Sequence, residues 1–320
     1  MASHAVYDVR LTLGAFEVAV TITCFLVGVL MLQTFNYFRD FQDDPTSTKL
    51  TVGAVFIGDF LHSALLMHAI HHYTIINFGH PEKLHDSVWS LNATIVLSGL
   101  IALAVQAFFC ARVLRVTKSK ILGGACFVLV LLRFAFSFML AINTCISNSI
   151  SDVETKFKWQ LVAALSIGTA SDIAIAGCIC GTLWSNRTGF KPTDALVDKI
   201  IAFVLSSGLL TSVIAVLEIV TFLTMENFVW LAFYCILAKI FSNSLLASLN
   251  ERTALRQSKA FTDRAITAST RPGPQTQAGS VMIFKHTSVE LHENDRYNPE
   301  GSLDAGYSPR DKSFGLVDAV

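Results

Sequence analysis

A single lysine, Lys239, stands near the middle of the apolar run 228–249, FVWLAFYCILAKIFSNSLLASL. At about 1.5 Å per residue, a helix of that length crosses a hydrocarbon core of about 30 Å. An ammonium at such depth costs at least about 2.5 kcal/mol on insertion scales. The lysine must therefore face other protein and meet an acidic group on another helix. A run with that requirement closes a bundle rather than standing alone in lipid.

Six further runs of spanning length precede it. Residues 11–38 carry Glu17 near their start. Residues 51–73 are unusually polar, with Asp59, His62, His68, His71 and His72. Residues 88–113 contain Asn92 and Gln106, residues 121–146 contain Arg133, residues 159–184 contain Asp172, and residues 200–224 contain Glu218. Hydrophobic residues make up 52% of the chain, charged residues 15%, and mean hydropathy is +0.54, all outside the ordinary soluble range. No stretch alternates as the strands of a membrane barrel do. The fold class is thus all-α: a polytopic membrane protein with a seven-transmembrane-helix bundle over 11–250. A short extracellular N-terminus, 1–10, precedes the bundle, and a tail, 251–320, follows it. The tail is rich in Ser, Thr, Gly, Pro, Asp and Arg and reads as disordered. Its first turns, ERTALRQSKAFTDRAI, read either as a short basic helix on the inner leaflet or as a solvated linker.

The N-terminus lacks the basic region and small-residue cleavage site of a signal peptide, so the first span is expected to serve as its own insertion signal. Basic residues set the orientation. One side collects Arg39, Lys49, Arg112, Arg115, Lys118, Lys120, Arg187, Lys191, Lys199, Arg252, Arg256, Lys259 and Arg264, whereas the other has only Arg10, Lys83, Lys156 and Lys158. That bias predicts an outside N-terminus and a cytoplasmic C-terminus, in the plasma membrane. Basic and acidic residues balance at 24 each, which points away from a nucleic-acid partner. The seven cysteines lie in or beside apolar runs and read as free thiols. Cys178 and Cys180, two apart on a helix, point to different faces. Of two sequons, Asn92-Ala-Thr lies inside a span and Asn186-Arg-Thr on the cytoplasmic side, so neither is expected to carry a glycan.

Counting inward from the span ends places Asp59 and Lys239 at similar depth and predicts an ion pair. Arg133 and Asp172, at the middles of consecutive spans, suggest a second pair, while Glu218 and Glu17 lie nearer the outer face, within reach of water. Asp59, His62, Arg133, Asp172, Glu218, Lys239 and Asn243 form the candidate intramembrane polar network. Its alternative reading is a set of pairs that only fixes helix register. At about 100° per residue, Asp59 and His62 share one face of their span and His68, His71 and His72 the other. The latter have the H-x-x-H-H spacing of membrane di-iron enzymes, and His80 and His85 in the next loop offer ligands for an outer zinc site. Interfacial hydrogen bonding is the plainer account of these histidines. A lysine in a seventh span also fits a retinal Schiff base, but the third span supplies no carboxylate counter-ion.

Several stretches resemble a family of fungal, mainly basidiomycete, seven-span proteins carrying the domain of unknown function 6534. They are GDFLHSALLMHAIHHY, NFGHPEKLHDSVWSL, RTGFKPTDALVDKII, SGLLTS and AFYCILAKIFSNSLLASLNER. Together they extend the resemblance from about residue 11 to about residue 252. It implies the same architecture and a fungal source, and no activity. The family's pattern has proline before the lysine where this chain has Ala238, so the kink such a proline introduces is not carried over to this chain. Within RTGFKPTDALVDK, Gly189 and Pro192 end the fifth helix, Thr193 is the expected N-cap of the sixth, and Asp194 meets its positive dipole end.

Three functions remain. An outside N-terminus, seven spans, basic inner loops and a Ser/Thr-bearing tail describe a receptor-like sensor of a small-molecule or lipid ligand, with a cytoplasmic partner at the inner loops and tail. It lacks an acidic-Arg-aromatic switch after its third span and an N-P-x-x-Y in its seventh. A transporter or channel would line its path with the buried charges, but no internal repeat is visible and Pro45, Pro81 and Pro192 all fall in loops. A metal-dependent membrane enzyme on the histidine cluster comes third. No catalysis and no cofactor are expected.

Overall fold

The structure, a computed structural model, describes residues 10–80, 83–84, 86–147, 149–187, 191–225 and 227–270, with residues 10, 191–196 and 253–270 described by backbone alone. Backbone polar groups in hydrocarbon must bond within their own segment, so each apolar run becomes a helix. The helices are α1 (Ala15–Asp40), α2 (Thr46–His71), α3 (Trp89–Thr117), α4 (Lys120–Ser147), α5 (Ile150–Thr155), α6 (Lys158–Ser185), α7 (Lys191–Thr224) and α8 (Val229–Thr270). Single π-helical turns, Arg10–Gly14 and His72–Ile76, extend α1 and α2. Seven of the described helices are long and apolar enough to cross a membrane, and the chain is an integral, multi-pass membrane protein. Among the described residues no strand forms; one isolated bridge pairs Asp86 with Ser149.

Local chemistry sets the helix ends. Pro45, at φ −54° and ψ 141°, precedes α2, as suits a residue that cannot donate from its nitrogen. Lys118 stops α3 in a left-handed conformation, φ 54°, and its N–H reaches Leu114 O. Two boundaries differ from the sequence reading. Helix α7 already begins at Lys191, so Thr193 lies inside its first turn rather than at its N-cap, and Pro192 takes an early position where a missing N–H costs nothing. Helix α8 runs unbroken through the composition change to Thr270, so residues 251–270 continue the last span instead of forming a separate helix or a disordered stretch. The rest of the tail lies outside the described residues.

Helix α8 is the axis of the bundle. It packs against α1, α7, α3 and α2, and 56% of its apolar window is buried, against 17% for α7. Helix α3 is the second hub, in contact with α2, α4, α6 and α8. The seam between α1 and α8 is stitched at a seven-residue interval: Asn243 Nδ2 donates to Leu26 O at 3.3 Å and Asn250 Nδ2 to Gln33 O at 2.8 Å. Both members advance together, so the two helices run parallel, in the register of a left-handed supercoil. Beyond Asn250, Arg252 forks onto Asp44 (Nη2 to Oδ2 2.5 Å, Nη1 to Oδ1 3.3 Å) and lies over the Phe41 ring at 4.4 Å, while Tyr37 OH donates to the same carboxylate at 3.0 Å.

At the other end, the short α5 was not legible as an element. Its Ile150 and Val153 are buried, and Glu154 accepts from Trp230 Nε1 at 3.1 Å. Trp230 in turn packs edge-on against Phe222 of α7, with ring centroids 5.1 Å apart. Helix α5 thereby closes the bundle over the starts of α6 and α8. All seven cysteines are free.

Candidate functional site

Lys239 and Asp59 meet at the centre, both fully buried. Lys239 Nζ donates to Asp59 Oδ1 at 3.0 Å and to the Asp59 backbone carbonyl at 2.7 Å. The second bond exists because the lysine approaches α2 along its backbone as well as its side chain. One turn on, Asn243 Nδ2 donates back to Lys239 O at 2.9 Å, which joins the ion pair to the α1 seam. His62, a turn from Asp59, is fully buried, has no protein partner on either ring nitrogen, and lies 6.4 Å from the Tyr234 ring. Tyr234 OH sits 3.0 Å from Ser98 Oγ and donates to Thr94 Oγ1 at 3.4 Å, a link from α8 to α3.

The second expected pair does not form. Asp172 Oδ1 accepts from Gln106 Nε2 at 2.7 Å, and no ion pair joins Arg133 to a carboxylate among the described residues. Arg133 lies over the Phe241 ring at 4.7 Å instead. It crosses α6 at Gly168, one turn before Asp172: a Cβ there would sit 2.8 Å from Arg133 Nε and 3.0 Å from its Cδ. The pair was misjudged because counting residues gives depth and not direction around the helix. Glu218 has no ion-pair partner among the described residues either. It is fully buried, and neither carboxylate oxygen has a protein partner. The Phe222–Trp230 contact and α5 cover the end from which its depth was counted.

The histidine cluster does not form a metal centre among the described residues, where no group of three His, Cys, Asp or Glu converges. His68 Nδ1 is 2.9 Å from Ser90 Oγ and its ring lies 5.1 Å from Trp89, whereas His71 is exposed and His72 stands edge-on to Tyr73. His85 lies outside the described residues. Asn92 is buried and accepts from Ser87 Oγ, consistent with its place inside a span.

Three small cavities lie within the bundle, two of them bordered by Asp172 or by Arg133 and Glu218. Nearest α5, about 40 Å³ is lined by Leu91, Thr144, Ile150, Trp230 and Tyr234. Next, about 50 Å³ is lined by Ser98, Arg133, Ser137, Glu218 and Tyr234. Farthest in, about 40 Å³ is lined by Gln106, Asp172, Ser207, Thr211 and Phe241. Tyr234 borders the first two and Phe241 the last two. A larger crevice of about 360 Å³ opens beside the α2 end at Leu13, Tyr73, Asn77, Phe78 and Leu84.

With that geometry in hand, the chain can be set beside known proteins. A family model described as a family of unknown function, DUF6534, matches residues 168–254. The matched stretch begins at Gly168 and takes in Asp172, Glu218, Lys239 and Asn243. The resembling stretches of the second and third spans, with Asp59 and His62, lie outside it. No curated protein and no solved structure matched the chain.

The residues that sequence reading missed are Gly168, Gln106 as the partner of Asp172, and the Thr94–Ser98–Tyr234 link. Gly168 left one signal, the run of small residues SIGTAS, which marks a helix that others approach closely.

Proposed function

We propose that this protein is a receptor-like sensor of a fungal plasma membrane, with its N-terminus outside and its C-terminus in the cytoplasm. The observation that carries the reading is the contrast in cavity size. A crevice of about 360 Å³ falls in the range that small ligands occupy, whereas the cavities along the polar network hold 40–50 Å³ each. The crevice lies at the end of the bundle that the basic-residue bias assigns to the exterior. Its lining is mostly apolar, which suits an apolar small molecule or a lipid. The basic loops at the opposite end suit a cytoplasmic partner, and neither catalysis nor nucleic-acid binding enters this reading. The fungal source rests on the resemblance of the motif stretches.

The competing reading is a transporter, favoured by the charges buried along two of the three cavities. Purified protein in proteoliposomes separates the two. The sensor reading expects no solute or ion flux, together with thermal stabilisation by hydrophobic small molecules that Phe78→Ala and Tyr73→Ala abolish. Solute accumulation by the reconstituted protein, lost on Glu218→Gln, would replace it with the transporter.

A further inference from the structure

Glu218 presents a chemical problem that protein atoms do not solve. Its carboxylate is fully buried between α7 and α8, and neither oxygen meets a donor of the chain. Burying such a group without hydrogen bonds costs several kcal/mol. Arg133 has the complementary deficit, since its Nη1 is buried without an acceptor. The two side chains border one cavity of about 50 Å³, which Ser98, Ser137 and Tyr234 also line. A direct contact is prevented by the way Arg133 is held, lying over Phe241 and threading the gap at Gly168.

We propose that Glu218 and Arg133 bind a cluster of internal water between them. At about 10–15 Å³ of accessible space per molecule, the cavity takes about three to five waters. That number supplies donors to both carboxylate oxygens and an acceptor to the guanidinium. The volume excludes an organic ligand, and the guanidinium disfavours a metal cation. This assignment stands independently of whether the protein is a sensor or a transporter.

Radiolytic hydroxyl labelling of the full chain in nanodiscs, read by mass spectrometry, tests it, because bound water generates radicals in place. Leu165 and Leu237 border this cavity, whereas Leu245 is fully buried and borders none of the three. The expected result is oxidation of Leu165 and Leu237 but not of Leu245, lost when Ala164→Leu fills the space. Ala102→Leu fills the same cavity from α3 and serves if the first variant does not fold. Leu165 and Leu237 labelled no more than Leu245 in the unaltered protein would overturn the proposal, as would labelling that survives in a folded cavity-filling variant.

Discussion

Replacing Lys239 by methionine would leave the Asp59 carboxylate buried without its cation. Breaking a buried pair from one side costs about 3–5 kcal/mol, so Lys239→Met should unfold at markedly lower temperature in detergent than the unaltered protein. Asp59→Asn combined with Lys239→Met removes both charges and should be more stable than either single change. Equal destabilisation in the double variant would show that the pair is not the unit. At Gly168, a methyl group would push into Arg133, and Gly168→Ala should cost about 1–3 kcal/mol by overpacking. Arg133→Ala in the same chain should recover part of that loss, read as an upward shift in Tm relative to Gly168→Ala alone. The sequence made the first of these sites legible and hid the second. An ammonium amid apolar residues demands a carboxylate, and Asp59 was the one at matching depth. Which residue Arg133 faces depends on rotation about α4 and α6, and hydropathy does not record rotation.

Helices α1 and α8 hold together through side-chain amides that reach backbone carbonyls. Hydrogen bonds between helices in membranes average about 0.6 kcal/mol and reach about 1.7 kcal/mol, so Asn243→Ala and Asn250→Ala should each lower stability by an amount in that range. Because they are seven positions apart, their effects should add, and thermal unfolding of the two single variants and the double variant checks this. Strong departure from additivity would mean that the seam behaves as one unit. At this scale the sequence was informative wherever an element consists of one long apolar run, and all seven spans were legible for that reason. Helix α5 was not, since a six-residue helix between two spans has too few turns for periodicity to show. The first turns of α7 and the continuation of α8 were misjudged because proline and a polar composition both read as breaks. Pro192 falls where a helix tolerates it, and α8 carries on past the polar boundary.

For the whole molecule, seven crossings among the described residues, if all are made, would leave the start of α1 and the end of α8 on opposite faces of the membrane. Epitope tags placed at the two termini should therefore differ in antibody access before permeabilisation. Equal access would remove one of the seven crossings. The packing of the bundle also concentrates burial on one helix, since 56% of the apolar window of α8 is buried while α7 is largely turned outward.

The grip of Asp44 and Phe41 on Arg252 falls part-way along a helix of 42 residues, not at its end. The remaining 18 or so residues extend the rod by about 27 Å beyond that grip. A tilt of about 10° around such a fulcrum swings the far tip by roughly 5 Å over that length. The last span thus continues as a projecting rod whose far tip follows any tilt of the bundle's central helix.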